Sequence, residues 1–303
     1  MSMTEGLITE QVNPRTRDID ERSTLEILRL MNEEDKLVAE AVGRELERIA
    51  AAVEMIVECL RRGGRLFYVG TGTSGRLGVL DAVECPPTFG VSPETVQAIL
   101  AGGYAACYCA IEAAEDDPMA GAAAIAERGV TAHDVVVGVT ASGRTPFTLG
   151  ALKAARSLGA ITIAIACNPN PDVARVADLT ITPIVGPEVI AGSTRLKAGT
   201  AEKMVLNMLS TAAMIKLGYT YGNLMSNLHL KNEKLRRRAI SILVHEFALS
   251  EDEARRRLEE TEWDVKALIV MLKAGVSRED AQRALESAGF SIKRALEKLR
   301  SPS

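Results

Sequence analysis

Apolar positions follow two rhythms along this chain. Between Ser23 and Leu60 they recur every three or four residues, at Leu25, Leu28, Leu37, Val38, Val42, Leu46, Ile49, Val53, Ile56 and Leu60. That spacing predicts amphipathic helix. Ser23 with Glu26 supplies a capping box at its start, and Gly63-Gly64 closes it. Short continuous apolar runs follow at 66–69, 96–100, 135–140, 161–166 and 179–182. Continuous runs suit strands buried on both faces. Helical patterns fill most of the gaps, near 75–83, 104–115, 118–128 and 146–158, with further helices at 195–217 and 223–238. The alternation predicts an α/β fold: a doubly wound parallel sheet with helices on both faces. Residues 1–20 are polar, contain Pro14 and read as an extended arm.

The last part has no strand signal. "EARRRLEETEWDVKAL", from Glu253, aligns with "DAQRALESAGFSIKRAL", from Asp280, at an offset of 27: Ala254 with Ala281, Leu258 with Leu285, Trp263 with Phe290, Val265 with Ile292, Lys266 with Lys293. Each unit reads helix, turn with an aromatic, helix, and two such units can bury each other's apolar faces. The expected division is an α/β domain with its arm over 1–236 and a small all-helical domain over 237–303, the latter either a stabilising appendage or a partner-binding module.

Charge and cysteine content narrow the chemistry. The chain has 303 residues and a formal net charge of -4, and its one basic run, 231–238, reads as a solvated helix face. Nucleic acid is therefore not an expected partner. The five cysteines form no CxxC pair, and the three histidines lack metal-ligand spacing. Reduced thiols, no metal and no redox cofactor are expected. The N-terminus has no signal-peptide core, and the most apolar helical stretch carries Glu202, Lys203 and Lys216. The expectation is a cytoplasmic protein without a membrane span.

The candidate chemistry sits in loops. "VGTGTSGR" places Gly70, Gly72 and Gly75 in GxGxxG spacing between a strand and a helix. A dinucleotide site would need an acid after the second strand, where "VQAILAGG" ends in alanine and glycines. A nucleotide P-loop would need a lysine where Arg76 stands. What the loop offers is Thr71, Thr73 and Ser74 among the N–H groups of a helix start, which suits a phosphate monoester. "VVVGVTASGRTPFTLG" repeats the design with Ser142, Gly143, Arg144 and Thr145 ahead of Pro146. In a parallel sheet both loops fall on the C-terminal edge. A third polar stretch sets Ser193, Thr194, Arg195 and Lys197 at another helix start.

Two carboxylates complete the set. Glu84 precedes Cys85-Pro86-Pro87, where the prolines are expected to end the helix and fix the side chain before them. Glu115 lies in "AIEAAEDDP", read as a helix C-terminus where acids are unfavourable.

"GTGTSGRLGVLDAVECPPTFG", "AIEAAEDDP", "VVVGVTASGRTPF", "CNPNP", "ITPIVGPEVIAGSTRLKAGTAEKMVLNMLSTAAMIKLG" and "YGNLM" together resemble the N-acetylmuramic acid 6-phosphate etherases of the sugar isomerase (SIS) superfamily. The resemblance runs from about Leu7 to Leu299. It implies cleavage of the D-lactyl ether of N-acetylmuramic acid 6-phosphate by elimination and then hydration, giving N-acetylglucosamine 6-phosphate and D-lactate in cell-wall amino-sugar catabolism. It implies Glu84 as the acid that protonates departing lactate and Glu115 as the base at C2, with Glu112 an alternative to Glu115 and the two roles open to exchange. The hydroxyl loops, with Gly72, Thr73, Ser74, Ser142, Arg144 and Thr145, and the stretch with Ser193, would hold the 6-phosphate, Arg195 or Lys197 balancing its charge. No cofactor is implied, and a homodimer is, with the N-terminal arm and "NLHLKNEKL" reaching toward a neighbour's site. Non-catalytic SIS sugar-phosphate regulators, among them the glucokinase regulatory protein, form the competing class, and aldose–ketose isomerases a third. Isomerases often add a histidine for ring opening, and none of the three histidines falls in a loop identified above.

Overall fold

The computed structural model describes residues 6–226 and 233–300. Five strands form one parallel sheet: β1 (Leu66–Gly70), β2 (Val96–Leu100), β3 (Val135–Val139), β4 (Ile161–Ile165) and β5 (Leu179–Ile181), in the order β2-β1-β3-β4-β5. Each expected strand is present to within a residue. The order reverses between β1 and β3, whose registers pair Leu66 with Val135 and Gly70 with Val139. In such a sheet the crevice opens at that reversal, beyond the carboxyl ends of the strands.

Alternate side chains feed the two faces. Phe67, Val69, Val136 and Ala164 join a core with Ile125 of α4 (Pro118–Glu127) and with Phe147, Ala151 and Leu152 of α5 (Pro146–Ser157). Tyr68 faces the opposite side, against α3 (Gly72–Phe89), where a Cβ on Gly78 would lie 2.9 Å from the Tyr68 Cβ. The helical run after Ser23 is two helices, α1 (Thr24–Gly43) and α2 (Leu46–Arg61), and the Ser23–Glu26 capping box is formed in both directions. α6 (Lys197–Leu217) is tied to α3 through Asp81, which accepts from Tyr68 Oη at 2.9 Å, Asn207 Nδ2 at 2.6 Å and Ser210 Oγ at 3.1 Å.

Several local expectations are corrected. α3 runs through Pro86 and Pro87 to Phe89. The prolines remove two N–H groups, yet they sit in the last turn, where Gly90 N still donates to Pro86 O at 2.9 Å. Residues 104–115 are not one helix but two 3-10 turns, Gly103–Cys107 and Glu112–Ala114. Gly102 and Gly103 both take positive φ there, and the Arg76 guanidinium takes the carbonyls of Ala106 and Cys109 that a helix would use. The acids after Glu115 stand at a helix start: Asp117 caps α4, accepting from Met119 N and Ala120 N. That placement favours the helix dipole. Of the expected helix over 223–238, the part from Glu233 on is helical and Tyr221 and Leu224 exchange backbone hydrogen bonds in a turn, while residues 227–232 lie outside the described residues. Most of "NLHLKNEKL" lies outside the described residues.

The N-terminal arm is not extended. It makes three short 3-10 turns against the first unit, burying Leu7, Thr9, Asn13 and Thr16.

Two compact units result. The first comprises the chain through Val83 and Pro93–Thr211; the second comprises Glu84–Ser92 and the chain from Ala212. The boundary expected at 236/237 therefore falls inside the second unit. That unit contains α7 (Glu233–Phe247), α8 (Glu251–Glu260), α9 (Val265–Ala274), α10 (Arg278–Ser287) and α11 (Ile292–Arg300). The 27-residue repeat is structural. Ser250 and Ser277 cap α8 and α10. Leu258 and Leu285 share the core, and Trp263 and Phe290 both adopt left-handed backbone at φ 64 and 58.

Candidate active site

A crevice of about 360 Å³ opens where the sheet order reverses. β1 leads into it with Thr71, Gly72, Thr73 and Ser74, the last three opening α3. The loop is compact because glycine is needed at each close approach. A Cβ on Gly75 would fall 2.5 Å from Gly70 O, and one on Gly70 would fall 2.9 Å from Val139 O. Gly72 takes φ +49, and a Cβ there would meet Glu115 Oε1 at 3.0 Å. The Glu115 carboxylate thus stands directly over the start of α3.

β3 supplies the facing wall with Thr140, Ser142 and Thr145. Thr140 Oγ1 lies 2.8 Å from Thr145 Oγ1 and 3.3 Å from Ser142 Oγ. Gly143, at φ +74, is clamped beneath: a Cβ on it would sit 2.2 Å from Pro171 Cβ, and its carbonyl accepts from Val173 N at 3.0 Å. This gives "CNPNP" its task. Asn168, fully buried, donates to Ala141 O at 2.9 Å and to Thr9 Oγ1 at 3.0 Å, while its Oδ1 accepts from Ile8 N at 2.7 Å. One side chain fastens the second hydroxyl loop to the N-terminal arm. The arm thereby carries Glu10 into the crevice lining, a residue that the sequence reading missed.

Gly72, Thr73, Ser74, Ser142, Thr145 and Glu115, six of the expected residues, converge on the crevice. Glu112 also lines it but is exposed, whereas Glu115 is half-buried. The Glu115 backbone is pinned on both sides, its N–H donating to Glu112 O at 3.0 Å and its carbonyl accepting from Phe147 N at 3.0 Å.

The remaining candidates stand elsewhere. Arg144 is outside the lining, its Nε 3.9 Å from Asp172 Oδ2. Of the third stretch only Thr194 reaches the crevice; Ser193 does not, and Arg195 is exposed outside it. The start of α6 is already occupied by the protein's own anion: Glu188 accepts from Lys197 N and Ala198 N, each at 2.9 Å. Lys197 is buried, its Nζ 2.6 Å from Glu34 Oε2, while Arg15 holds the other Glu34 oxygen at 2.8 Å. Burial pushes the Glu34 carboxyl up, but the Lys197 hydrogen bond and charge, with Asn13 and Arg15, hold it below its ordinary value. Glu84 is exposed on α3 and is not among the lining residues.

One unexpected group lies behind the first loop. Glu202 of α6 is fully buried and 2.9 Å from Ser74 Oγ. Burial, with the negative Glu188 nearby, pushes its carboxyl up to about 8 against the pull of Ser74. The sequence reading had used Glu202 only as evidence against a membrane span. No helix among the described residues is long and apolar enough to cross a membrane.

Comparisons with known proteins identify the fold and the family. Residues 48–156 match the model of the glucokinase regulatory protein N-terminal SIS domain, and residues 120–212 match the SIS domain model. A putative phosphosugar isomerase from Bacteroides fragilis shares the fold, with a TM-score of 0.52 at 19% identity over 71% of this chain and 97% of that one. Proteins named N-acetylmuramic acid 6-phosphate etherase are far closer in sequence. The one from Symbiobacterium thermophilum is 56% identical over 89% of this chain and 90% of its own. Those from Caldanaerobacter subterraneus subsp. tengcongensis and Clostridium beijerinckii are 51% and 49% identical, covering 96% and 97% of this chain and 95% and 97% of theirs. With half its residues shared along nearly the whole length of such relatives, this chain belongs to the N-acetylmuramic acid 6-phosphate etherase family.

Proposed function

We propose that the chain cleaves the D-lactyl ether of N-acetylmuramic acid 6-phosphate, releasing D-lactate and N-acetylglucosamine 6-phosphate. The observation that carries this reading is Glu115 held over two facing hydroxyl loops. A phosphate monoester accepts hydrogen bonds from Thr73, Ser74, Ser142 and Thr145 and from the N–H groups that open α3. That leaves the sugar carbons in reach of one carboxylate. In the open-chain aldehyde the C2 proton is acidified by C1=O, and Glu115 takes it. The C3–O bond then breaks, its electron pair leaving on the lactate oxygen, which receives a proton from an acid. Water adds to C3 of the alkene, and C2 regains a proton. Two carboxyl groups in opposite protonation states meet the requirement.

By its place in "ECPP", Glu84 is the acid. It is exposed on α3, and Leu80 and Val83 of that helix are 49% and 57% exposed; on α1, Leu25 and Leu28 are 57% and 56% exposed. Each pair stands three residues apart on one helix, a spacing that presents both side chains on one face and suits contact with a partner. We assign that contact to a second copy of the chain, and Glu84 to the crevice of that copy. The described part of the N-terminal arm packs on its own unit. The reaction is placed in the cytoplasm, in keeping with five cysteines that form no disulfide.

The test is incubation with N-acetylmuramic acid 6-phosphate in oxygen-18 water. Free D-lactate and label in the C3 hydroxyl of the product are expected. Absence of lactate, or label on lactate instead of the sugar, refutes the reading.

A further inference from the structure

The Ser74–Glu202 pair has a direction, and it bears on how phosphate is held. Ser74 lines the crevice at the start of α3, while Glu202 lies behind it, out of reach of solvent. Their oxygens are 2.9 Å apart. The second Glu202 oxygen is buried and has no hydrogen-bond partner among the described residues. The groups acting on this carboxyl offer no cation. Glu188 is negative, and the Cys167 thiol, itself pushed up by burial first and by Glu202 and Glu188, is neutral. The Lys197 amine is engaged with Glu34.

Three arrangements are possible. An ionised Glu202 can only accept, so the one hydroxyl hydrogen of Ser74 turns inward and its lone pairs face the crevice. A buried charge is then left without a counter-ion, and the incoming phosphate meets lone pairs. A neutral Glu202 with its proton on Oε2 leaves a buried donor unpaired, a rare and costly state. A neutral Glu202 with its proton on Oε1 donates to Ser74 Oγ and leaves only a carbonyl oxygen unpaired. Ser74 then has its own hydrogen free for the crevice.

We infer that Glu202 is a positioning residue: as a neutral acid it donates to Ser74 Oγ and so obliges Ser74 to donate its hydroxyl hydrogen to the phosphoryl group of the substrate. This rests on the reading of the first loop as the phosphate cradle. Burial, the largest influence on Glu202, keeps the carboxyl protonated to about pH 8, so the device is set at neutral pH. Above that the carboxyl ionises, Ser74 turns inward and a donor to the phosphate is lost.

The test is the pH profile of KM for N-acetylmuramic acid 6-phosphate from about pH 7 to about 9.5, a range in which the phosphate is predominantly a dianion. For the unaltered protein KM climbs above about pH 8, approaching tenfold per unit, as expected for one proton. In Glu202→Gln the amide donates to Ser74 and cannot ionise, so the climb disappears. Ser74→Ala raises KM about tenfold or more at neutral pH, the loss of one charge-assisted bond, and flattens the profile. A flat profile for the unaltered protein, or a climb retained in Glu202→Gln, overturns the inference. The phosphate reading stays in place if Ser74→Ala still raises KM. A Ser74→Ala variant with unchanged KM overturns both.

Discussion

Replacing Lys197 separates two roles that the same residue could fill. At a helix start in a Ser-Thr-Arg stretch it reads as the cation for the phosphate; in the structure it is 1% exposed and bonded to Glu34 at 2.6 Å. Lys197→Met keeps the length of the stem and removes the charge. Glu34, itself 3% exposed, is left with Arg15 and the Asn13 side chain as partners and without the closer charge. Losing one partner of a buried ion pair costs about 3–5 kcal/mol, and because Arg15 remains the lower end, about 3 kcal/mol, is expected. For a unit of this size each kcal/mol moves Tm by about 2–4 °C, giving a fall of about 6–12 °C. The assay is thermal unfolding followed by circular dichroism, with KM measured well below the transition. Adding Glu34→Gln removes the stranded charge and recovers part of the loss. The pH dependence has a definite sign. The folded Glu34 carboxyl is held below its ordinary value, so its stabilisation is present above that value and is lost as pH falls through the lowered one. The gap between Lys197→Met and the unaltered protein therefore closes in acid. A Tm within about 2 °C of the unaltered protein, together with a raised KM, would refute the structural role and restore the phosphate ligand.

Other expectations follow from single contacts. Gly72→Ala places a methyl group 3.0 Å from Glu115 Oε1 on a backbone at φ +49; kcat should fall about 10- to 100-fold, with only about 1–2 kcal/mol lost in urea unfolding, and an unchanged kcat would remove Glu115 from the reaction. If Glu84 serves the crevice of a second copy, inactive Glu84→Gln and Glu115→Gln proteins regain lactate release when unfolded and refolded together; a mixture that stays inactive while forming mixed dimers argues against the exchange. Glu202 has a folded value raised to about 8, so the folded state keeps its proton where the unfolded state releases it. Stability from this group therefore falls as pH rises from its ordinary value near 4.5 to about 8, by up to about 1.4 kcal/mol per unit, and Glu202→Gln should lack that slope in urea midpoints taken across the range.

What could be read in the sequence is what local chemistry determines. β1 and β3 announce themselves because continuous apolar runs suit few other environments, and the glycines and hydroxyls after them mark the turn and the candidate anion site together. The 27-residue repeat is legible for the same reason: the serine caps, the core leucines and the aromatic turns are each set within one helical hairpin. Partners distant in sequence are not legible. Lys197 meets Glu34 across 163 residues, Glu202 meets Ser74 across 128, and Asn168 meets Thr9 across 159. In the sequence each of these side chains is polar and ordinary, so Lys197 and Arg195 read as ligands and Glu10 and Glu202 went unread. The α6 start shows how such a reading arises. A helix N-terminus attracts an anion whatever its source, and here Glu188, nine residues upstream, already fills it. The loop at α3 has the same kind of backbone donors, but the buried carboxyl of Glu202 binds the hydroxyl of Ser74 from behind. One helix start is filled by the protein's own carboxylate, and the other is the one to which we assign the phosphate of the substrate.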